Sequence, residues 1–242
     1  MRRSFWSQNL NTRDSKAETM RGTPNPHTVQ RLVDGLARKQ GSGRTGIHVS
    51  DLTLCLRKAC YSRTSPREPT PETLGYYVDG GRRDFVIKGL LGTKVMPSEK
   101  DGIWFTPDSI DEMGNPIEIK TTRAPAGISR HYLTQLAYYM VLLAKDKGRL
   151  VIQRVGLRRN GMPFEAYDYE FEPGEMERYR RELCDRRDAL RRALNDRDPA
   201  RAPSVRFDSE YNWLCKACPW NKECSELDNR SRLQGEPKRV VN

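Results

Sequence analysis

The sequence predicts a mixed α/β domain with a central sheet. Helical and strand-like stretches alternate in the order helix, hairpin, helix, hairpin, helix. Two turn signals, DEMGNP at 111–116 and Asn160-Gly161, each separate a pair of β-like runs. Six cysteines, three of them crowded into CKACPWNKEC near the C-terminus, add a cysteine-rich appendage.

The elements follow in chain order. Residues 1–46 are polar, with Gly, Ser, Pro and Arg scattered through them, and read as a mobile basic arm. Within it, 29–39 has helical spacing through Val29, Leu32, Val33 and Leu36, and GSGRTG at 41–46 is a linker. The ordered part starts at Ile47, where Ser50 or Asp51 can cap a short helix running through Cys55 to Tyr61. After the Pro-rich break at 65–72, residues 74–91 are helical, with Gly80-Gly81 as a weak point. Gly102–Ile110 and Ile117–Thr121 form a hairpin, and Ile128–Ala144 an apolar, buried helix. Leu150–Leu157 and Phe164–Phe171 form the second hairpin. Gly174–Asn195 is a long amphipathic helix with Met176, Tyr179, Leu183, Leu190 and Leu194 on its apolar stripe. The chain divides into the arm (1–46), a core (47–205), the cysteine segment (206–228) and a tail without structure (229–242).

Composition bounds the function. The 242 residues are long enough to bury a core, and 43 Lys and Arg against 32 Asp and Glu give a net charge of +11. That excess favours a polyanionic partner, most simply nucleic acid, although solubility alone also accounts for it. No apolar run is long enough to span a membrane, and the first thirty residues hold no secretory signal, so a cytoplasmic, reducing compartment is expected. Clustered cysteines there read as metal or iron–sulfur ligands before disulfides.

The most chemical segment is TPDSIDEMGNPIEIKTT. On its second strand, period-two alternation sends Ile117 and Ile119 to one face and Glu118 and Lys120 to the other. The turn returns Asp108 towards Glu118. Two carboxylates beside one amine suit a hard cation, Mg²⁺ or Mn²⁺, with Lys120 orienting water or stabilising developing charge. Read alone, the same residues fit a cross-strand ion pair on a solvated sheet face. Gln135 and Tyr139 share a face of the following apolar helix. A Gln in such a run needs a hydrogen-bond partner, which a satisfied core Gln beside a packed Tyr also meets.

Pro107-Asp108, Glu118-x-Lys120 and Gln135-xxx-Tyr139 resemble the motifs of the PD-(D/E)xK nucleases in their RecB-like form. One cysteine before these motifs, Cys55 in SDLTLCLRK, and three after them, Cys215, Cys218 and Cys224, resemble the CRISPR-associated RecB-like exonucleases, the fourth Cas protein. The resemblance runs from about Val49 to Cys224. It implies a restriction-endonuclease-like core, its mixed sheet flanked by helices, plus a Cys-clamped helical subdomain. It implies a metal-dependent DNA exonuclease acting on single-stranded ends beside the Cas integrase in CRISPR adaptation, with a [4Fe–4S] cluster. Catalytic roles then fall to Asp108, Glu118, Lys120, Gln135 and Tyr139. The family's helical His is missing from GGRRDFVIKGLL, and Asp84, four residues after Gly80, can take its place as metal ligand with Asp108 and Glu118. It can equally pair with Arg82 or Arg83.

Four thiolates hold either [4Fe–4S] or Zn²⁺, and the C-x2-C-x5-C spacing suits both. Cys55 is the fourth ligand by its matching position, with Cys60 as competitor and Cys184 as a buried small hydrophobe. Trp213 and Trp220 flank the ligands and are expected to shield them. Arg57, Lys58 and Arg123 are candidate phosphate contacts, and Tyr76, Tyr77, Tyr138 and Tyr139 candidate stacking residues. His131 either approaches the substrate phosphate or serves as a cap or surface residue. The alternating charges from Arg178 to Arg201 read as solvated surface. A non-catalytic DNA-end-binding factor, carrying iron–sulfur or zinc, is the alternative reading of the whole.

Overall fold

The computed structural model describes residues 45–91, 95–124, 127–155 and 164–233, together with positions 27, 28, 30, 31, 34 and 35, which are helical. The rest of the expected arm and the Asn160-Gly161 turn lie outside the described residues.

The chain enters through β1 (Ile47–His48) and passes directly into α1 (Val49–Leu52). The expected single helix over 50–61 is therefore two. Asp51 does not begin a helix as a cap; its Oδ2 accepts the N–H of His48, 2.8 Å away. Cys55 N-caps α2 (Leu56–Thr64), its Sγ accepting from the N–H of Lys58. α3 (Pro71–Leu91) runs through Gly80-Gly81 without a break. Next come β2 (Ser98–Lys100), β3 (Ile103–Phe105), β4 (Ser109–Ile110) and β5 (Pro116–Thr122).

The strand expected over 102–110 is split in two by Thr106-Pro107-Asp108. Proline brings no N–H to a ladder, and the two halves join different sheets. β3 pairs with β1 in parallel and with β2 antiparallel. β4 pairs antiparallel with β5, Ser109 opposite Ile117. The β4–β5 turn is built by Asp111, whose Oδ1 accepts from the N–H groups of Met113 and Asn115, with Gly114 at φ +77°. That left-handed conformation suits glycine.

α4 (Arg130–Leu143) crosses from β5 to β6 (Lys147–Arg154), which pairs with β5 in parallel. β7 (Phe164–Glu170) closes the second sheet antiparallel to β6, giving the order β4-β5-β6-β7. On β6, Gly148, Leu150, Ile152 and Arg154 are buried in alternation. Leu150 and Ile152 pack with Leu136 and Met140 of α4. α5 (Pro173–Asn195) lays Leu183 and Leu190 into the main core with Val49, Leu52, Leu56, Tyr138 and Val141. Its Met176, Tyr179 and Leu194 pack at the core's edge, so the stripe read from the sequence is the face that docks. The charged face is not wholly solvated. Arg186 turns inward, its Nε donating to Leu52 O at 2.5 Å and its Nη2 to Leu54 O.

A 3-10 turn (Pro199–Arg201) leads to α6 (Asn212–Lys216) and α7 (Asn221–Leu233). α7 carries helix into 229–233, where a structureless tail was expected. The architecture is mixed α/β, two mixed sheets flanked by helices. Among the described residues no helix is long and apolar enough to cross a membrane.

Candidate active site and cysteine site

β5 is where strand alternation and burial part company. Ile117 and Ile119 are buried on one face as expected, at 5% and 3% exposure. Glu118, on the other face, is also buried, at 1%. The helix α4 covers that face, its Leu136 and Met140 packed on Leu150 and Ile152, which stand beside Glu118 and Lys120 on β6, so a solvated surface ion pair is not what the chain builds.

Inside this face the polar groups form a chain. Glu118 Oε1 lies 2.6 Å from Lys120 Nζ. Lys120 Nζ donates to Gln135 Oε1 at 2.8 Å, and Gln135 Nε2 donates to Tyr139 Oη at 3.1 Å. The Gln in the apolar helix thus has its partners, one on each side. Asp108 joins from the residue before β4. Its Oδ2 accepts the N–H of Ile119 at 2.9 Å, and its Oδ1 pairs with Lys88 Nζ of α3 at 2.6 Å. Lys88 is the member the sequence did not betray: nothing in α3 marks it except its place one helical turn after Asp84.

The electrostatics follow from burial. Desolvation, the largest influence, pushes the Glu118 carboxyl up to about 8; Lys120 pulls it back, and the charge of Asp108 pushes the same way as burial. Lys120 meets the opposite balance. Desolvation favours its neutral form, but the charge and hydrogen bond of Glu118, with Asp108 behind, hold its proton more firmly than usual. His131 is driven down to about 4 by burial first and by Lys120 second, and its Nδ1 lies 2.6 Å from Ser129 Oγ.

Oxygen donors of this kind match a hard divalent cation. One observation fits: Glu118 Oε2 is buried with no hydrogen-bond partner, an acceptor left for a cation. Two oppose it. Both oxygens of Asp108 are engaged, and among the described residues no group of three or more His, Cys, Asp or Glu could hold a metal ion. The side chain of Asp84, the third expected ligand, lies outside the described residues.

The cysteines sort as follows. Cys55, Cys215, Cys218 and Cys224 line one cavity, closed on one side by Trp220 and Tyr61. These two rings stack at 6.0 Å, and the Trp220 Nε1–H donates to Ser65 O at 3.0 Å. Cys60, at 0% exposure, belongs to the core, and Cys184 lies half-buried outside the cavity. Burial first, then the neighbouring cysteines, raises the thiol of Cys215. Burial also raises Cys218, against the Trp220 N–H and Lys58. Four sulfurs around one space suit an iron–sulfur cluster or zinc by donor chemistry, although no three of them are drawn into a metal-holding group.

Other candidates fall differently. Arg57 is turned inward: its guanidinium donates to Asp228 Oδ1 at 2.7 Å, Ala202 O at 3.1 Å and Cys224 Sγ at 3.4 Å. It is a buried tie, not a phosphate contact. Lys58 lines the cysteine cavity, and Arg123 is exposed just beyond β5. Tyr138 and Tyr139 are buried, at 0% and 5%, and cannot stack on bases. Tyr138 Oη instead donates to Glu182 at 2.8 Å. Tyr77 is half exposed, and the side chain of Tyr76 lies outside the described residues. Trp213 does not line the cysteine cavity; it stands 6.1 Å from His131.

No protein-family model matches the chain, and no curated protein matches it. Among solved structures it is similar to the crystal structure of SSO0001, with a TM-score of 0.52 and 19% identity over 79% of this chain and 93% of that one. An alkaline exonuclease, LHK-Exo from Laribacter hongkongensis, superposes with a TM-score of 0.41 and 10% identity, over 67% of this chain and 95% of that one. The likeness to SSO0001 is one of fold, extending over most of both chains.

Proposed function

We propose that this chain is a divalent-metal-dependent deoxyribonuclease with a PD-(D/E)xK, RecB-like core, working as an exonuclease on single-stranded DNA ends. One observation carries the reading: the buried relay Glu118–Lys120–Gln135–Tyr139, with Asp108 delivered beside it by the neighbouring strand. A fully buried carboxylate with an unpartnered oxygen is costly to the fold, and function is the usual reason for such a cost.

Asp108 and Glu118, with Asp84 from α3, would hold Mg²⁺ or Mn²⁺. Such an ion supplies polarisation of a phosphoryl oxygen and a nucleophilic water at neutral pH. Lys120 keeps its proton and presents a cation where negative charge grows on the phosphorane oxygens. Gln135 fixes the Lys120 amine, and Tyr139, itself buried, fixes Gln135; both are positioning residues. Lys88 neutralises Asp108 and must yield that oxygen when an ion enters. Cys55, Cys215, Cys218 and Cys224 would hold a [4Fe–4S] cluster, with Zn²⁺ as the competing occupant. A brown protein absorbing near 400 nm identifies the first. Work beside the Cas integrase in CRISPR adaptation is the finer reading, and it rests on the motif order alone.

The test is degradation of end-labelled single strands by purified protein with Mg²⁺, Mn²⁺ or EDTA. Wild type should cleave with metal only, and Lys120→Ala should not cleave. Cleavage in EDTA, or undiminished cleavage by Lys120→Ala, rejects the assignment. A second reading, a non-catalytic DNA-end-binding factor, is favoured by the ammonium groups already seated on both carboxylates. Calorimetric titration of Mn²⁺ separates the two, since only the enzyme loses binding on Asp108→Asn.

A further inference from the structure

We propose that Tyr132, His131, Tyr211 and Trp213 form a stacking platform for an unpaired nucleobase of a DNA strand. This deepens the nuclease reading, on which it rests for where the strand's backbone lies.

The platform begins at the acidic site. Lys120 Nζ stands 5.6 Å from the centroid of the Tyr132 ring. His131 meets Tyr132 edge-on at 4.3 Å. It lies 6.4 Å from Tyr211 and 6.1 Å from Trp213. Four rings from the first turn of α4 and from the start of α6 thus gather around His131, with the lysine at the Tyr132 end. They are fixed rather than free. Tyr132 packs against the Leu136–Ile152 cluster, and His131 is held by Ser129. Trp213 sits two residues before Cys215, in a short helix tied to the cysteine cavity.

The outermost ring faces solvent. Trp213 is 47% exposed, against 6% for Trp220, so part of its indole is unused by the core. A flat, partly exposed ring suits a base's π-face, and Lys120 stands at the Tyr132 end of the same cluster, where a phosphate of the strand can meet a cation. Every base has such a face, so this recognition tolerates sequence and needs an unpaired base. Tyr138 and Tyr139, two of the four tyrosines marked by sequence for stacking, are sealed in the core, while Tyr77 is half exposed. A protein partner would need a larger patch than these rings offer.

The experiment is fluorescence anisotropy without added Mg²⁺ or Mn²⁺ and without chelator, so that no cleavage intervenes and the cysteine site keeps what it holds. The probes are a short labelled single strand, the same strand in a duplex, and an abasic strand of equal length. Trp213→Leu, which keeps apolar bulk but no ring, should weaken the base-bearing single strand roughly tenfold, the scale of one lost stack. Trp213→Phe should bind like wild type, and duplex and abasic strands should not respond to either variant. Equal single-strand binding by Trp213→Leu and wild type overturns the platform. So does an equal loss on the abasic strand, which makes the effect electrostatic or structural, and so does wild type that does not prefer the base-bearing strand. Cleavage is assayed separately on the same preparations. Ring-dependent binding without any metal-dependent cleavage keeps the platform and rejects the enzyme, and cleavage with no Trp213 effect does the reverse.

Discussion

Replacing Lys120 with Met probes the buried relay more sharply than any other single change. The methionine keeps the apolar stem beside Tyr132 and removes only the ammonium. In the wild type that ammonium is 2.6 Å from Glu118 Oε1 and 2.8 Å from Gln135 Oε1. Glu118 is 1% exposed and has no other partner for its second oxygen. With the lysine gone, a carboxyl already pushed up to about 8 takes up a proton at pH 7, and what remains is a buried carboxylic acid without its partner, which costs about 1–3 kcal/mol. Glu118→Gln is milder, because Lys120 retains Gln135 and is 21% exposed to water. The double variant removes both groups and should be more stable than the two single losses predict, by about 1 kcal/mol or more. Urea unfolding of the four proteins in EDTA at pH 7 measures this cycle. Additivity within about 0.5 kcal/mol would mean the two groups do not interact, and the relay would have no energetic existence. The same cycle governs the nuclease test. A protein of ordinary stability, about 5–15 kcal/mol, can lose much of it on Lys120→Ala, so cleavage must be scored per folded molecule.

Three further outcomes are expected. Gly148→Ala should destabilise by about 1–3 kcal/mol, read as a lower Tm, because overpacking strains a close-packed core. Its new Cβ would lie 2.9 Å from Leu136 Cδ1 and 3.0 Å from Met140 Sδ, both residues fully buried. His131 stays neutral in the fold down to about 4, whereas an unfolded histidine protonates near 6.5. Stability is therefore intact above about pH 6.5 and falls as pH drops from there towards 4; unfolding curves from pH 7 to 4 follow it, and His131→Gln should flatten the slope. Cys55→Ser should expose α6 and α7 to limited proteolysis while the core of β5, β6 and α4 stays protected, and, with the proposed [4Fe–4S] cluster as occupant, should lower the absorbance near 400 nm. An unchanged digestion pattern would mean the cysteines do not hold the tail.

How far the sequence could be read depended on the range of the interactions involved. α5 was legible because its apolar residues recur at helical spacing over about five turns, and the packing of Leu183 and Leu190 obeys that spacing. Glu118, Lys120, Gln135 and Tyr139 were legible as pairs because two-residue and four-residue spacings are local facts. Their joining into one relay was not, since it depends on α4 crossing over β5. The burial of Glu118 was hidden for the same reason: alternation along a strand reports two faces, not what covers them. The break at Pro107 was readable from proline chemistry but was overridden by the β-like run around it. Lys88 could not be found at all, because α3 reaches Asp108 from a distant part of the chain. Trp213 was misread because nearness to Cys215 in sequence says little about which side of a short helix a ring takes.

The two sites are mechanically joined, and the joint has a physical direction. The segment after α5 folds back onto α2 through polar ties: Arg57 to Ala202 O and Asp228, Arg67 to Pro219 O and Glu223, and Trp220 to Ser65 O. Its own buried apolar cluster is small, with Tyr61, Trp220 and Cys224 at its centre. So few buried side chains do not offset the entropy of ordering α6, α7 and the turns between them. A group bound by four sulfurs is the kind of interaction that does, since ligand binding in such sites is folding energy. Trp213 rides on this segment, and His131 connects it to Tyr132 and so to Lys120. Loss of whatever the cysteines hold would therefore reach DNA through the aromatic platform first. Asp108, at the entrance to β4, and Glu118, in β5, would stay in place, so on the proposed reading strand affinity would fall before the chemistry did.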